Sequence, residues 1–175
     1  TPGQLTYASV GAGSVSHLSA EMLKNLTGTD IVHVPYKGGG PALTAIASNE
    51  VTIMFAALPS ATPFVLSKRI KPLVVTSPKR AAALPDVPTV AEAGVAGLQV
   101  MEWYGVLAPA TTPRAIVDKL QGEIVKIIRK PEVVARFLEL GADPVGNTPA
   151  EFARQIESDI VMWAKVVKES GIRAD

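Results

Sequence analysis

The first third of the chain alternates between short apolar runs and a helical pattern, and it predicts a strand, a helix and a second strand. The run LTYAS at residues 5–9 is β-prone, and glycines at 11 and 13 interrupt it. The apolar residues that follow recur at helical spacing, namely Leu18, Met22, Leu23 and Leu26, and Gly28 marks the predicted end of the helix. The run DIVHVP at 30–35 predicts the next strand.

The same alternation continues to about residue 76 and predicts parallel βαβ units. We predict helices at 42–48 and 59–69, and strands at 51–57 and 70–76. The run VTIMFAA at 51–57 is almost continuously apolar, which is typical of a strand buried on both faces. The predicted fold class is therefore α/β with a parallel sheet.

Two further features precede the final third. The capping-box pattern TVAE at 89–92 predicts a short helix that ends at Gly94. The run QVMEWYGVLAP at 99–109 is the longest predicted strand. We expect its Trp103 and Tyr104 to lie in the core, with a ligand contact by Tyr104 as the alternative.

The final third is predicted to be mostly helical. Thr112 and Pro113 supply an N-cap and a first-turn proline for a helix with an apolar face over 116–128. A second helix begins at Pro131 and is closed by Gly141. The capping box TPAE at 148–151 begins a long helix.

Composition narrows the possible functions. The 175 residues include 17 basic and 16 acidic ones, with a net charge of +1 and no basic run, so no nucleic-acid partner is expected. The chain has no cysteine and two widely separated histidines, which argues against a dedicated metal site, and no cofactor is expected. No apolar run reaches the length of a membrane span, and the first residues resemble ordinary domain sequence rather than a signal peptide.

The glycine turn after the first strand is the main candidate for chemistry. Gly11 and Gly13 allow a sharp turn and close approach of a ligand to the backbone. The turn directs the N–H groups and positive dipole end of the next helix outward, where Ser14, Ser16 and His17 add side-chain donors. This arrangement predicts an anion-binding site without a formal positive charge.

The same turn has other interpretations, namely a dinucleotide site, a catalytic pair and a simple helix cap. A dinucleotide fingerprint lacks its third glycine, since Ser16 stands there, and no acidic residue ends the next strand. A nucleophile–base pair of Ser14 and His17 lacks the GxSxG elbow and an orienting acid. The two side chains could also do no more than cap the helix. His33 is interpreted as a strand histidine with a partner rather than a ligand.

Two other segments are predicted to lie at the same edge of the sheet as the glycine turn. The loop YKGGGP at 36–41 follows the second strand, and Ala56 ends the third. Because ligands of open parallel sheets bind at the carboxyl ends of strands, both should face one crevice. A plain βα turn is the alternative for the loop.

Several runs of the sequence together resemble one known family. YASVGAGSVSHLSAEMLK is followed in order by IVHVPYKGGGPALTAI, VTIMF, LVVTSPKRAAALPDVPTVAEAG, WYGVLAPATTP and WAKVVKESGIRAD. These runs closely resemble the substrate-binding proteins of tripartite tricarboxylate transporters, also called the Bug family of periplasmic receptors. The resemblance covers about residues 2–175.

The resemblance implies a type II periplasmic-binding-protein fold, with two α/β domains around a cleft. Residues 1–108 would form the second domain with crossing strands at both ends. Residues 109–175 would be helices that pack on the first domain, in agreement with a change of composition near 108–113.

The resemblance also implies a site in which a ligand carboxylate is held between two loops, one from each domain. The predicted ligand-binding residues of this chain are Ser9, Gly11, Ala12, Gly13, Ser14, His17, Tyr36 and Ala56. Many relatives carry an aspartate where this chain has Ala56, so a ligand without an amine is expected, such as a dicarboxylate, a tricarboxylate or an aromatic acid. No catalytic and no metal-binding residue is predicted.

The function that follows is that of a non-enzymatic periplasmic receptor, which delivers a carboxylate to the membrane subunits of a tripartite transporter. The alternatives are a nucleotide-binding or hydrolytic enzyme that uses the Gly11–Gly13 turn, or a fragment without ligand binding. Family members are longer at the N-terminus, so we expect the apolar faces of the final helices to lack their sheet. Repacking, domain swapping or self-association is the predicted result.

Overall fold

The structure is a computed structural model and describes residues 3–172. Its elements follow one another in the order β1 (Leu5–Ser9), α1 (Val15–Thr27), β2 (Ile31–Pro35), α2 (Gly39–Ala47), β3 (Ile53–Met54), α3 (Leu58–Leu66), α4 (Arg114–Ile128), α5 (Pro131–Glu139) and α6 (Pro149–Ser170).

A parallel sheet with the strand order β2-β1-β3 lies at the centre of the first half. Tyr7 is paired with His33 on one side of β1 and with Ile53 on the other. The predicted α/β class with a parallel sheet is confirmed. Since β1 is the middle strand, its residues Tyr7, Ala8 and Ser9 are fully buried.

The two faces of the sheet carry different helices. Tyr7 points to the α1 face, where it forms a core cluster with Ala20 and Ile31. Its neighbour Ala8 points to the other face and forms a cluster with α2 residues, including Ala42. This alternation follows from the period of two in a strand.

Helix ends follow the sequence signals closely. Ser14 is the N-cap of α1, and Gly28 ends the helix at φ +63°. At α6, Thr148 and Glu151 make the reciprocal hydrogen bonds of a capping box. α6 then packs against α1, where Asn25 Nδ2 donates to Ser170 Oγ at 2.9 Å and Val166 is buried.

Two predicted strands of the first half are shorter than expected. In the segment 51–57 only Ile53 and Met54 pair with β1, and both are only half-buried. The segment 70–76 forms no strand; Val75 makes a single parallel bridge to Thr89. Pro72 lacks the N–H group that a continuous ladder needs there.

The prediction of a strand at 99–109 is wrong for this structure. These residues have no strand partner within the described chain, and Tyr104 is 74% exposed rather than in the core. Trp103 is 40% exposed and packs edge-on against Phe152, with ring centroids 4.8 Å apart. A strand forms only where a second strand offers its backbone groups, and the sequence of one segment does not show that.

Two helix starts also differ from prediction. Thr89 and Glu92 make both capping-box hydrogen bonds, but the segment is a turn rather than a helix. The N-cap of α4 is Pro113 and not Thr112, because the extended backbone of Pro113 (φ −56°, ψ 137°) delays the helix by one residue.

The final helices are covered much less than the sheet. Neither α4 nor α5 has a buried residue, although both are amphipathic. Among residues 3–172, no helix combines the length and apolar character needed to cross a bilayer. The division into domains at residue 108 stays a prediction.

Candidate functional site

The glycine loop, residues 10–14, connects β1 to α1 at the carboxyl edge of the sheet. Gly11 has φ +137° and Gly13 has φ +73°, conformations that residues with a Cβ rarely adopt. A Cβ at Gly11 would lie 3.9 Å from the carbonyl oxygen of Tyr36, so the loop after β2 runs alongside. The predicted proximity of these two loops is therefore observed.

Serine side chains fix the loop to the first turn of α1. Ser14 Oγ donates to the Gly11 carbonyl at 2.6 Å and, as N-cap, accepts from the His17 N–H group at 3.4 Å. Ser16 Oγ accepts from the Val10 N–H group at 3.0 Å. The hydroxyl groups of Ser14 and Ser16 are thus already hydrogen-bonded within the protein.

Several backbone N–H groups of the loop and of the first turn of α1 are not used in hydrogen bonds within the described part of the chain. Among the residues that the structure describes, no hydrogen bond takes up the N–H groups of Ala12, Val15 or Ser16. Ala12 and Gly13 are exposed at the tip. Since the first N–H groups of a helix have no partner within it, they are available to an anion, and the helix dipole favours one.

Ser9 lies beneath the loop rather than on its surface. Its side chain is fully buried (0% exposed), and its Oγ is 3.2 Å from both the N–H nitrogen and the carbonyl oxygen of Gly11. The same oxygen lies 2.7 Å from His33 Nε2. Ser9 therefore supports the glycine loop in this conformation.

His17 also faces inward. It is 8% exposed, and its Nδ1 accepts from the Gly13 N–H group at 3.1 Å. Burial lowers the pKa of His17, while the Glu21 carboxylate opposes this shift. A neutral imidazole with its proton on Nε2 is the form that fits this hydrogen bond.

Tyr36 and Ala56 lie at the same edge of the sheet as the glycine loop. The Tyr36 N–H group donates to the Ser9 carbonyl at 2.9 Å, and the Tyr36 side chain packs on the α2 side of the sheet. Ala56 follows β3, whose Met54 pairs with Ala8. Ala56 is placed at this edge by strand register rather than by a hydrogen bond.

Sequence reasoning missed the polar group beneath the loop. Tyr7 OH donates to Glu21 Oε1 at 2.6 Å, and Lys24 Nζ donates to the same oxygen at 2.7 Å. Burial and the neighbouring Glu21 raise the pKa of Tyr7 well above its usual value. The signal that could have found part of it is the spacing of Glu21 and Lys24, which are three residues apart on α1 and therefore neighbours on its surface.

A cavity of about 580 Å³ lies away from this edge, beside the C-terminal ends of α2 and α3. Its lining includes Lys68, Arg69 and Lys71. Cations are favourable at helix C-termini because of the helix dipole, which accounts for their presence. Among residues 3–172, no cluster of three or more His, Cys, Asp or Glu could hold a metal ion.

The sequence was compared with known families and proteins. The profile of a family described as "Tripartite tricarboxylate transporter family receptor" matches residues 1–172. A Pseudomonas protein from the tcbD-tcbE intergenic region is 38% identical over 99% of this chain and 52% of its own length. The protein BugT of Bordetella pertussis is 33% identical over 98% of this chain and 53% of its own. The chain thus spans about half the length of the curated relatives it matches.

Several solved structures are similar to this chain in both sequence and fold. A protein described as a periplasmic transporter superposes with a TM-score of 0.93 and 40% identity, covering 100% of this chain and 58% of that one. An R. palustris protein solved with adipate has a TM-score of 0.92 and 38% identity, over 98% of this chain and 57% of that one. MatC from Rhodopseudomonas palustris, solved with malate, has a TM-score of 0.86 and 34% identity, over 94% of this chain and 57% of its own.

Proposed function

This chain belongs to the tripartite tricarboxylate transporter receptor family, and from that premise we propose that its glycine loop binds a carboxylate group of a small solute. The family is one of receptors and not of enzymes, as the sequence predicted. The periplasmic-binding-protein fold is shared with the solved relatives. The alternative of an enzyme that uses the Gly11–Gly13 turn has no support from them.

The observation that carries the proposal is a set of N–H groups, in the glycine loop and at the start of α1, that have no hydrogen-bond partner among the described residues. Ala12, Val15 and Ser16 offer backbone donors at the positive end of a helix, next to two glycines that leave room for a ligand. A carboxylate bound by neutral donors needs no lysine or arginine partner. Such hydrogen bonds to an ionised acceptor are stronger than neutral ones.

The ligand class is proposed on two grounds. Two structurally similar proteins were solved with adipate and with malate, both of which are dicarboxylates. Ala56, at the same edge, offers no carboxylate to pair with a ligand amine. We therefore favour an acid without an amine, namely a dicarboxylate, a tricarboxylate or an aromatic acid.

The biological setting is proposed from the family. The receptor would close around its ligand in the periplasm and present a surface that the membrane subunits recognise. The binding-site residues that we propose are the loop and its neighbours: Ser9, Gly11, Ala12, Gly13, Ser14, His17, Tyr36 and Ala56. Within it, the buried Ser9 and His17 support the loop, while the exposed tip meets the ligand.

The test is a thermal-shift panel of dicarboxylates, tricarboxylates and aromatic acids. A ligand that binds only the folded chain raises its melting temperature by mass action. Gly13→Asp places a carboxylate at the tip, and Gly13→Asn is the matched control with the same shape and the same strained φ of +73°. No atom lies within 4 Å of the added Cβ, so there is room for a side chain to start at this position in both variants.

We expect one class of acid to raise the melting temperature of the natural chain and of Gly13→Asn, but not of Gly13→Asp. An equal shift in the Asp variant would place the bound anion elsewhere. No shift with any acid, from a cooperatively folding chain, would mean that these residues do not bind a carboxylate by themselves.

A further inference from the structure

Two separate sets of hydrogen bonds lie beneath the glycine loop, and each set involves one of its glycines. His33 Nε2 lies 2.7 Å from Ser9 Oγ, which in turn contacts both backbone polar groups of Gly11 at 3.2 Å. His17 Nδ1 accepts directly from the Gly13 N–H group at 3.1 Å. Each histidine therefore restrains a different glycine.

The two histidines also contact one another. Their rings stack with centroids 3.9 Å apart and an angle of 12° between the planes. The His33 ring also stacks on Tyr7, with centroids 4.8 Å apart and 18° between the planes, and the Tyr7 and His17 centroids are 6.1 Å apart. Tyr7 is fully buried in the middle strand and hydrogen-bonded to Glu21, so the two histidine rings from β2 and α1 pack beside an anchored residue.

Burial, more than the surrounding charges, keeps both histidine rings neutral. Burial lowers the pKa of both histidines, and each would repel a second positive charge on the other at this distance. From α1, Glu21 raises and Lys24 lowers the pKa of both; from β1, Tyr7 faces the stack as a neutral phenol. At neutral pH, His17 Nδ1 is therefore an acceptor.

We propose that His33 and His17 are positioning residues of the carboxylate-binding loop, His33 acting through Ser9 on Gly11 and His17 acting on Gly13. The proposal deepens the function given above and rests on it for the ligand. Its reason is conformational: glycines at φ +137° and +73° have many other backbone states open to them. A loop already held in its binding conformation loses less entropy when the ligand binds.

The first test needs no ligand. NMR of the ¹⁵N-labelled chain gives the solvent-exchange rates of the Gly11 and Gly13 amide protons. His17→Phe keeps an aromatic ring in the stack but removes the acceptor, so the Gly13 amide should exchange about tenfold faster while Gly11 changes little. His33→Phe should give the reverse pattern.

Conservative variants and a pH profile separate positioning from general destabilisation. His33→Gln puts an amide near the position of Nε2 and should restore the Gly11 rate; His17→Asn should do the same for Gly13. In the natural chain, the Gly13 amide shift should titrate with His17, and this titration should vanish in His17→Phe. Equal changes at both glycines, or none in a folded variant, would overturn the proposal.

The second test measures affinity for adipate and malate by calorimetry. His33→Phe should weaken the tighter of the two about five- to tenfold, the loss expected for one hydrogen bond, and His33→Gln should recover most of it. Ser9→Ala combined with His33→Phe should be no weaker than the worse single variant, because both act on one chain of bonds.

The two tests fail separately. If neither acid binds the natural chain, the proposed function fails for these ligands, and the exchange rates still decide whether the histidines hold the glycines. If the variants loosen the loop but bind the acids as well as the natural chain does, the hydrogen bonds of the histidines do not contribute to ligand binding. The inference is then wrong.

Discussion

The sheet with α1 and α2 differs sharply from the helix pair α4 and α5, although both regions are built from amphipathic segments. In the first, Tyr7 and Ala8 are fully buried and Leu43 is 2% exposed. In the second, no residue is buried, and Ile116, Leu120 and Ile127 remain about half exposed, at 50%, 51% and 52%. An apolar face predicts a helix and the side that would pack, but only a second element can bury it.

The partners of the two regions explain the difference. The middle strand has a strand on each side and a helix on each face. α4 contacts α5 and the loop before α6, where Gly146 lies against Val125 and Ile128. That covers one side of α4 and leaves the side of Leu120 open.

The largest expected effect is the contrast between truncations in the two regions. Tyr7→Ala should lower the free energy of unfolding by about 3–5 kcal/mol, because a buried aromatic ring and its hydrogen bond to Glu21 are lost. Ile127→Ala, at a half-exposed position of α4, should cost about 1 kcal/mol or less. Urea unfolding followed by circular dichroism measures both, and comparable losses would remove the contrast.

The open side of α4 should cause self-association of the chain. Leu120→Glu and Ile127→Glu should each raise the dissociation constant about tenfold or more, because each puts an unpaired carboxylate into an apolar contact. Ala115→Glu adds the same charge on the other side of the helix and is the matched control. Sedimentation equilibrium gives the constants, and a natural chain that stays monomeric at every concentration would refute the idea.

The smallest effect compares two glycines with open space around them. Gly122 lies within α4 and Gly13 within the glycine loop, and a Cβ at either meets nothing within 4 Å. Gly122→Ala should raise the free energy of unfolding by about 0.5–1 kcal/mol, since alanine favours a helix. Gly13→Ala should lower it, because alanine is strained at φ +73°.

The free energies of unfolding of the two variants, measured by thermal and urea unfolding, test two different regions of the molecule. An unchanged Gly122→Ala variant would mean that α4 does not unfold together with the sheet. A Gly13→Ala variant as stable as the natural chain would mean that the loop can leave its left-handed conformation without loss.

Local signals predicted much of the fold. The end of α1 at Gly28 and the capping box at Thr148 were predicted correctly, because a cap needs only residues that are near in sequence. The strands predicted at 70–76 and 99–109 do not form, because pairing depends on distant segments. Tyr104 is a large aromatic residue of the kind often found in a core, but it is exposed because its segment has no strand partner within the described chain.

The candidate site divides in the same way. The glycine turn could be predicted because two glycines before a helical pattern are a local signal. The sequence could not predict that Ser9 and His17 face inward, or that His33 contacts Ser9. These contacts follow from a register that joins residue 7 to residue 33. The sequence shows which residues are near the loop but not which of them lie beneath it.

The packing of α6 on α1 has a consequence for the order in which a ribosome delivers this chain. Asn25 and Ser170, which join the two helices, are 145 residues apart. The sheet and α1 emerge before α6 is made, so one side of α1 stays uncovered while the residues between the two helices are synthesised. The helix that bears the glycine loop thus reaches its final packing only when α6 docks, and we expect nascent chains to hold this side of α1 open to chaperones until then.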